Sequence, residues 1–314
     1  MSTATPGRAP NDTARRDDVR VVRDDLRDAP RAAGVRVAVL VPVYQDDGRL
    51  AATLASLRAQ TVPFALVVVD DGSAVPLDVS PAAAPFPTVH LRLPVNRGIE
   101  AALNAGLTAI RRAGVPYVAR LDNGDLCAPD RLARQATHLD AHPDVVLLGS
   151  SVAWVDDAGR EVFCVRPPTG HDAIVRAFAH TVPLIHPTVM FRTAVLEVVG
   201  AYPTAYPAAE DYALFWRMAG AGRVACLRDV LVTTRFDGAG ISQRRRARQL
   251  ASRWRIQREH FRAGDPLAWY GLAKTGALRV LPYRLIVALK RARTRGRPGP
   301  RASAPPAAPS PLPA

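Results

Sequence analysis

The segment "RLDNGDLCAPDRL" (120–132) places two acidic residues, Asp122 and Asp125, after an apolar run, with Asn123 and Gly124 between them. Carboxylates at the mouth of a sheet often hold a divalent metal, because hard oxygen ligands suit Mg²⁺ and Mn²⁺. A tight turn is the alternative interpretation, in which Asn-Gly-Asp reverses the chain and the second acid caps the next helix.

Three further polar loops follow predicted strands: "PVYQDD" (42–47), "DDGS" (70–73) and "NRGIEAALNAG" (96–106). The carboxyl ends of parallel strands meet at one edge of a sheet, so we expect all four loops to border a single crevice. Acids can accept from a base N–H or from ribose hydroxyls, arginine can face phosphate, and further acids can hold a metal. This mixture suits a nucleoside diphosphate.

Alternating strand and helix patterns must position these loops. Continuous apolar, β-branched runs predict buried strands at 35–44, 64–70, 88–93 and 117–122. Between and after them, apolar residues at helical spacing predict helices that contain Leu50, Leu54 and Leu57, then Ile99, Leu103 and Ile110, and, after Pro129, Leu132 and Leu139. This alternation predicts an α/β fold with a single Rossmann-like, mostly parallel sheet.

The pattern changes after residue 150. A strand at 144–150 precedes "VAWV" and "EVFCV", which flank "DDAGR" and predict a hairpin. A strand at 186–192, a helix at 209–220 and a strand at 229–236 follow. These elements predict a small antiparallel part beside the parallel sheet.

Length and composition limit the class of protein. The chain has 314 residues, 48% of them apolar, which is enough for one large α/β domain or two small ones. Its three cysteines are far apart, which argues against a disulfide framework or a structural zinc and fits a reducing cytosol. The charged N-terminal segment lacks the apolar core of a signal peptide, and no run approaches the roughly 20 apolar residues of a spanning helix. We therefore expect a cytoplasmic protein.

The net charge of +14 belongs to the C-terminal part of the chain. Residues 235–301 carry 18 Lys and Arg against three acids, whereas residues 1–234 carry 24 basic and 25 acidic residues. Aromatic residues among these arginines suit helices that lie on an anionic membrane surface. A solvated helical extension packed on the preceding domain is the alternative. Nucleic acid binding is disfavoured, because no recognised nucleic-acid module occurs.

Six stretches in order, "VPVY", "VVVDDGS", "NRGIEAALNAGL", "ARLDNGDLCAPDRLARQ", "HPTVMFR" and "AEDYALFWRM", resemble the motifs of family 2 glycosyltransferases. The resemblance covers roughly residues 35–245. It implies an inverting enzyme with the GT-A fold that uses a nucleotide sugar.

The resemblance implies a donor site at the four loops. The first loop would line the nucleobase slot, the aspartates of the second would meet base and ribose, and the third would form the wall near ribose and phosphates. The implied donor-binding residues are Pro42, Val43, Tyr44, Asp70, Asp71, Asn96, Arg97, Gly98, Arg120 and Asp122.

The resemblance also implies a divalent metal, Mg²⁺ or Mn²⁺, at Asp122 and Asp125, which match the family's Asp-x-Asp segment. Such an ion stabilises the charge that develops on a leaving nucleoside diphosphate. Gly124 stands where the family has its central aspartate. Asp237, in "TRFDGAGIS", stands where a histidine is common, and we hypothesise that its carboxylate offsets the missing one.

Glu210 and Asp211 match the family's Glu-Asp pair, in which the aspartate is the general base. An inverting transfer needs one carboxylate to accept the proton of the attacking hydroxyl. Both acids would also be favourable at a helix start without any catalytic role. The resemblance further implies that His186 and Glu210 contact acceptor or phosphate, and that Arg235 contacts the diphosphate.

The expected organisation has four parts. Residues 1–34 and 295–314 are predicted to be disordered, because they are charged or rich in Pro and Ala. Residues 35–245 form the GT-A domain, with a nucleotide-binding half (35–128) and an acceptor half (129–245). Residues 246–294 form a basic, amphipathic helical extension.

The expected function is transfer from a UDP-sugar to a lipid-linked acceptor in surface polysaccharide or glycolipid synthesis, at the inner face of the plasma membrane. A catalytically impaired relative that binds nucleotide sugar or a partner enzyme is the alternative that Gly124 motivates. A processive synthase is a third interpretation, but "QRRRARQLASRW" lacks the spacing of the Gln-x-x-Arg-Trp motif and spanning helices are absent.

Overall fold

The computed structural model describes residues 19–26, 34–236 and 246–281. Its strands are β1 (Arg20–Asp24), β2 (Val37–Val43), β3 (Ala65–Asp70), β4 (Thr88–Arg92), β5 (Tyr117–Arg120), β6 (Leu126–Cys127), β7 (Val145–Val155), β8 (Glu161–Val165), β9 (Met190–Arg192) and β10 (Arg223–Arg235). Its α-helices are α1 (Arg49–Arg58), α2 (Ile99–Arg112), α3 (Arg131–Ala141), α4 (His171–Phe178), α5 (Leu196–Val199), α6 (Glu210–Ala221), α7 (Arg246–Glu259) and α8 (Pro266–Val280).

The described strands form one sheet in the order β1-β4-β3-β2-β5-β9-β7-β10-β6, with β8 paired to β7. Strands β4, β3, β2 and β5 are parallel, as are β7 and β10, whereas β9 runs antiparallel between β5 and β7. The carboxyl ends of the parallel strands therefore meet at one edge, and β9 begins at that edge. The predicted α/β fold with a parallel sheet centre is confirmed.

Helices cover both faces of the sheet, which explains why its central strands read as continuous apolar runs. All six residues of β3 are buried. Helices α2, α4 and α6 pack on one face around Leu103, Phe178 and Phe215. Helices α1 and α3 pack on the other face around Leu54 and Leu132. The result is a three-layer sandwich whose loops at the carboxyl edge are left open.

The prediction that residues 1–34 are disordered is wrong for part of that segment, because β1 pairs antiparallel with β4 at the sheet edge. The Arg23 guanidinium donates to the carbonyl oxygens of Val79, Ala84 and Phe86. Leu26 is buried in the core. A short, charged edge strand of this kind depends on tertiary contacts that its own sequence does not reveal.

The second half differs from prediction in element limits. The predicted strand 186–192 is a 3₁₀ turn at His186–Thr188 followed by a strand at Met190–Arg192. Pro187 lacks the N–H that a sheet position requires, so the strand starts after it. Strand β10 begins at Arg223 rather than 229, because the whole run pairs with β7. The hairpin of β7 and β8 forms as predicted.

The predicted helical extension begins as two helices that contact the preceding domain. Ser252 Oγ donates to Pro207 O at 2.9 Å, and Gln257 Nε2 donates to Ala179 O at 3.4 Å. No helix among the described residues is long and apolar enough to cross a membrane. The predicted tail 295–314 and the end of the extension, 282–294, lie outside the described residues.

Gly72 allows two edge loops to approach each other. Its φ is +71°, and a Cβ at this position would lie 2.6 Å from the backbone nitrogen of Asn96. Gly114 has nearly the same φ, +67°, but a Cβ added there would meet nothing within 4 Å. An alanine would be strained by the positive φ at both positions, but only at position 72 would its Cβ also overlap the backbone of a neighbouring loop.

We expect Gly72→Ala to lower the free energy of unfolding by about 3 kcal/mol and Gly114→Ala to lower it by about 1 kcal/mol. Urea unfolding of both variants measures the difference. Equal losses in the two variants would show that the approach of the two loops is not tight.

Candidate functional site

The loop after β2 presents an aromatic ring at the carboxyl edge. Tyr44 is 50% exposed, whereas Val43 before it is buried in the strand. The loop is tied to the neighbouring one, because Gln45 N donates to Ser73 Oγ at 2.9 Å and Asp71 N donates to Val43 O at 2.8 Å. The backbone on both sides of Tyr44 is therefore tied to the neighbouring loop, and the exposed ring is available for a planar base to stack on.

The two aspartates at the end of β3, Asp70 in the strand and Asp71 directly after it, are buried and bonded within the protein. Asp70 accepts from Ser73 N at 2.8 Å and pairs with Arg92 at 3.2 Å. Asp71 accepts from the backbone nitrogens of Arg97 and Gly98 at 2.7 and 3.0 Å. Burial raises the pKa of the Asp71 carboxyl, and these two bonds oppose that rise. Both carboxylates therefore hold the backbone of the loops at this edge of the sheet.

Asn96 and Arg97 lie at the surface of the third loop, directly before α2. The helix begins after Gly98, which has a φ of +92° and makes no side-chain cap. Asp71, rather than Asn96, supplies the acceptor that holds the start of the helix. The exposed pair therefore lies at the carboxyl edge of the sheet, and its contact with ribose and phosphates stays a prediction.

The segment "DNGD" is a tight turn. Asp125 N donates to Asp122 O at 3.1 Å, and Gly124 has a φ of +92° at the third position, as a type II turn requires. Gly124 N also donates to Thr53 Oγ1 at 2.9 Å. A Cβ at Gly124 would lie 2.9 Å from Arg49 Cδ. The positive φ therefore favours glycine at position 124.

Arg120 lies beneath this turn and does not reach the surface. Its fully buried guanidinium donates to Leu40 O at 3.3 Å, to Leu121 O and to the Asp122 carboxylate. The Asp122 side chain is 40% exposed. Arg120 was predicted to bind the donor, and the structure instead places it as the buried partner that orients Asp122 toward the crevice.

Asp125 is buried, and its Oδ2 atom has no hydrogen-bond partner. Burial raises the pKa of its carboxyl, and the nearby charge of Asp122 adds to the rise. Asp125 therefore favours the protonated form. It does not cap α3, whose N-cap residue is Asp130.

The carboxylates of this turn fit a metal ion that takes few protein ligands. No group of three or more His, Cys, Asp or Glu side chains suited to a metal occurs within residues 19–26, 34–236 and 246–281. Mg²⁺ typically uses one or two carboxylates together with phosphate oxygens and water. The accessible carboxylate of Asp122 meets that requirement. Asp237 lies outside the described residues, so its proposed role stays a hypothesis.

Helix α6 starts with the acidic pair. Asp211 Oδ1 accepts from Tyr212 N at 2.7 Å. Burial raises the pKa of Asp211, and the charge of Asp122 contributes to the rise. Glu210 is buried, its Oε2 atom has no partner, and burial together with Asp211 raises its pKa. Asp211 is thus the member of the pair whose pKa is raised by the charge of Asp122.

His186 lies in the 3₁₀ turn at the start of β9. Its Nε2 atom is 2.8 Å from the Tyr202 hydroxyl, and its ring contacts Phe215 with centroids 5.8 Å apart. Burial and the charge of Arg120 hold its pKa well below the ordinary range. The imidazole is therefore neutral and can exchange hydrogen bonds without carrying charge.

Two residues that sequence reasoning missed hold this histidine in place. Asn104 donates to Tyr202 O and accepts from Tyr202 N, both at 2.9 Å. The clamp joins α2 in the nucleotide-binding half to the loop before α6. Asn104 lies in the motif "NRGIEAALNAG", which predicts a loop and helix beside the donor, whereas Tyr202 lies in none of the six motifs.

Arg235 was predicted to contact a diphosphate. In the structure its Nε atom lies 3.2 Å from Asp157 Oδ1, in the turn between β7 and β8. The ion pair is exposed, since the side chains of Arg235 and Asp157 are 46% and 89% accessible, so it contributes little stability. Arg235 lies at the carboxyl end of β10, and its contact with a diphosphate stays a prediction.

The model for "Glycosyl transferase family 2" matches residues 38–200, which is more than half of the chain. The chain belongs to glycosyl transferase family 2. Its members transfer sugars, so the chain is a glycosyltransferase, as the sequence motifs indicated.

The chain is 31% identical to the amylovoran biosynthesis glycosyltransferase AmsE of Erwinia amylovora, over 81% of this chain and 93% of that one. Two solved structures share the fold. The mannosyltransferase PcManGT of Pyrobaculum calidifontis, in complex with GDP-Man and Mn²⁺, has a TM-score of 0.56 and 22% identity, over 83% of this chain and 80% of that one. S. aureus TarS 1–349, in complex with UDP, has a TM-score of 0.54 and 20% identity, over 83% and 74%.

Proposed function

We propose that the family 2 enzyme moves a sugar from a nucleoside diphosphate sugar to a saccharide hydroxyl with inversion, and that Asp211 is its general base. One observation carries the proposal: Asp211, the match to the aspartate of the Glu-Asp pair, stands at the start of α6, where its Oδ1 atom accepts from Tyr212 N at 2.7 Å. In the proposal this carboxylate serves the acceptor hydroxyl, and Asp122, directly after β5, serves the diphosphate.

The donor is held by the loops after β2 to β5. Tyr44 stacks on the nucleobase, and the exposed wall at Asn96 and Arg97 borders ribose and phosphates. Asp70 and Asp71 act by fixing the backbone of these loops. A divalent ion, when bound at Asp122, supplies positive charge that stabilises the departing diphosphate.

Asp211 accepts the proton of the acceptor hydroxyl as its oxygen attacks the anomeric carbon. The neutral His186, fixed by Tyr202, offers a hydrogen bond on the acceptor side without adding charge. No covalent sugar–enzyme bond is needed, since one displacement inverts the anomeric centre.

We place this activity in polysaccharide synthesis, because the relative AmsE is named for amylovoran biosynthesis. The ligands named for the two structural neighbours carry different bases, guanine in GDP-Man and uracil in UDP. UDP-sugars are our first choice, and GDP-mannose is the matched alternative in the donor panel. The acceptor that we favour is lipid-linked.

The turn at Gly124 favours one competing function, a relative that binds nucleotide sugar without turnover. The turn leaves Asp122 as the accessible carboxylate of the metal loop and buries Asp125. The same donor panel separates the two functions, since a binder is stabilised by a nucleotide sugar but releases no nucleotide from it.

We expect Asp211→Asn to reduce the rate of sugar transfer by about a thousandfold or more, because the amide cannot accept the proton. Its affinity for UDP should stay unchanged. Glu210→Gln is the matched control: the buried carboxyl already favours its protonated form, so transfer should fall by less than about tenfold. Transfer is measured as UDP release from the UDP-sugar that the panel identifies.

Equal loss of activity in both variants would contradict the assignment of the base. Full activity of Asp211→Asn would contradict the proposed mechanism as a whole.

We expect Asp122→Asn to abolish the extra thermal stabilisation that Mn²⁺ gives to the UDP complex, since it removes the accessible carboxylate of the turn. Asp125→Asn should keep most of it, because that side chain is buried and favours the neutral form. Melting temperatures with UDP, with and without Mn²⁺, measure both effects. Loss of the Mn²⁺ effect in Asp125→Asn alone would show that the buried carboxylate leads the coordination.

We also propose that α7 and α8 place the enzyme on an anionic membrane surface. Helix α8 exposes apolar residues along one stripe, and Trp269 and Tyr270 are 58% and 54% exposed. Helix α7 and the turn after it expose basic residues at helical spacing: Arg248, Arg255, Arg258 and Arg262. Each basic residue near an anionic surface contributes about 1 kcal/mol of binding.

We expect the wild-type chain to float with vesicles that contain phosphatidylglycerol, and the double variant Trp269→Ser, Tyr270→Ser to float far less. Val198→Ser is the control, because Val198 is 77% exposed but lies on α5. Vesicles of phosphatidylcholine alone should bind the wild type weakly. Equal flotation of wild type and double variant would contradict the role of α8.

A further inference from the structure

The Tyr202 hydroxyl, in the loop between α5 and α6, contacts the ring of His186. The Tyr202 side chain is 2% exposed, which leaves little access for water. Among the described residues its hydroxyl has one hydrogen-bond partner, the His186 Nε2 atom at 2.8 Å. A buried O–H group that finds no acceptor is strongly unfavourable. The hydroxyl therefore donates its proton to the hydrogen bond, and Nε2 accepts it.

This direction of the hydrogen bond fixes the tautomer of His186. A ring nitrogen that accepts a hydrogen bond carries no proton, and the neutral imidazole then carries its one proton on the other nitrogen. The proton of His186 therefore lies on Nδ1. The same reasoning excludes the doubly protonated ring, because its Nε2–H and the Tyr202 O–H would be two donors without an acceptor between them.

The Nδ1–H group is free to serve a ligand. No residue of the described segments accepts a hydrogen bond from Nδ1, and the His186 side chain keeps part of its surface accessible. Phe215, one turn after Asp211 on α6, packs against the same ring with centroids 5.8 Å apart. The Nδ1–H is thus a hydrogen-bond donor next to the helix that carries the proposed base.

The position of the Tyr202 hydroxyl is itself fixed. Asn104 of α2 holds both backbone groups of Tyr202, at 2.9 Å each, and the Tyr202 and His186 rings lie 5.5 Å apart. A group held by its neighbours in this way is preorganised before any ligand binds. The contact between the hydroxyl and Nε2 is therefore part of the fold.

We infer that Tyr202 is a positioning residue, whose hydroxyl fixes His186 in the tautomer that donates from Nδ1 to an oxygen of the acceptor sugar. The hydrogen bond orients the sugar beside Asp211 and takes no part in removing its proton. The inference rests on the proposed function in one respect, the binding of a saccharide acceptor beside α6. It adds a requirement for the acceptor, which must present an oxygen lone pair to Nδ1–H.

Nitrogen NMR of the full chain with isotope-labelled histidine tests the tautomer without a ligand. His186→Asn identifies the signals of His186 among those of the seven histidines. Above the ordinary histidine pKa of about 6.5, we expect the wild-type proton on Nδ1. In Tyr202→Phe, which keeps the ring, a large share of the molecules should carry it on Nε2, because nothing then holds that nitrogen unprotonated. A protonated Nε2 in the wild type would overturn the inference.

His186→Asn and His186→Gln form a matched pair that tests the use of Nδ1–H. The amide nitrogen of asparagine can take the place of Nδ1, whereas that of glutamine reaches the place of Nε2. With octyl β-glycosides as acceptors, we expect kcat/KM of the glutamine variant to lie about tenfold or more below that of the asparagine variant. Affinity for UDP with Mn²⁺ should stay within about twofold of the wild type in both.

Tyr202→Phe should act on the acceptor as well. We expect KM for the octyl glycoside to rise about tenfold, with a smaller change in kcat, because the sugar loses one oriented hydrogen bond. Tyr206→Phe is the control, since Tyr206 lies in the same loop but its hydroxyl contacts Glu259 of α7. This variant should leave KM and the His186 signals unchanged. Melting temperatures of both variants show how much of each effect is structural.

Equal activity of His186→Asn and His186→Gln would overturn the inference. A loss of UDP affinity in Tyr202→Phe as large as its loss of transfer would also overturn it, because Nδ1–H would then serve the diphosphate. Failure of the proposed function is distinguishable. In that case Asp211→Asn would stay active, whatever the NMR signals of His186 show.

Discussion

The site depends on one ion pair, between the buried Arg120 guanidinium and the partly exposed Asp122 carboxylate. The cation is fully buried below the edge of the sheet and also donates to Leu40 O on β2 and to Leu121 O. A buried charge costs several kcal/mol unless it is paired, so the carboxylate cannot leave without destabilising the sheet. This constraint fixes one oxygen of Asp122 and leaves the other side of the carboxylate toward the crevice.

The remaining groups follow from that charge. Arg120 helps to keep His186 neutral, and burial together with the charge of Asp122 raises the pKa of Asp211. The Tyr212 N–H, which donates to Asp211 Oδ1 at 2.7 Å, opposes that rise. The proposed reaction needs this balance, because the base must stay ionised while it is shielded from water.

Much of the fold and of the site could be predicted from the sequence. Buried parallel strands read as apolar runs, and the polar residues that end them mark the crevice directly, as at Tyr44 and Asp122. Residues that act through a neighbour leave a weaker signal. Asp71 looks like a ligand contact in the sequence, but its carboxylate holds the backbone of Arg97 and Gly98. Arg120 likewise looks like a ligand contact, but its buried guanidinium donates to the Asp122 carboxylate.

Other features needed the three-dimensional structure. The glycine at 124 looked like a lost metal ligand, and its φ of +92° shows that the turn itself requires it. Tyr202 lies between two motifs without belonging to either, and its hydrogen bonds to Asn104 of α2 are visible only in the structure. Strand β1 is similar, since a charged segment becomes a strand only by pairing with an existing edge.

The central claim is that one carboxylate, Asp211, acts as base in a single displacement. The anomeric configuration of the first product formed from an α-linked UDP-sugar, followed by proton NMR during the reaction, tests it most directly. The account predicts a β-linked product from the earliest time point. An α-linked product would contradict it, because retention requires a second displacement or a front-face attack that a single base does not provide.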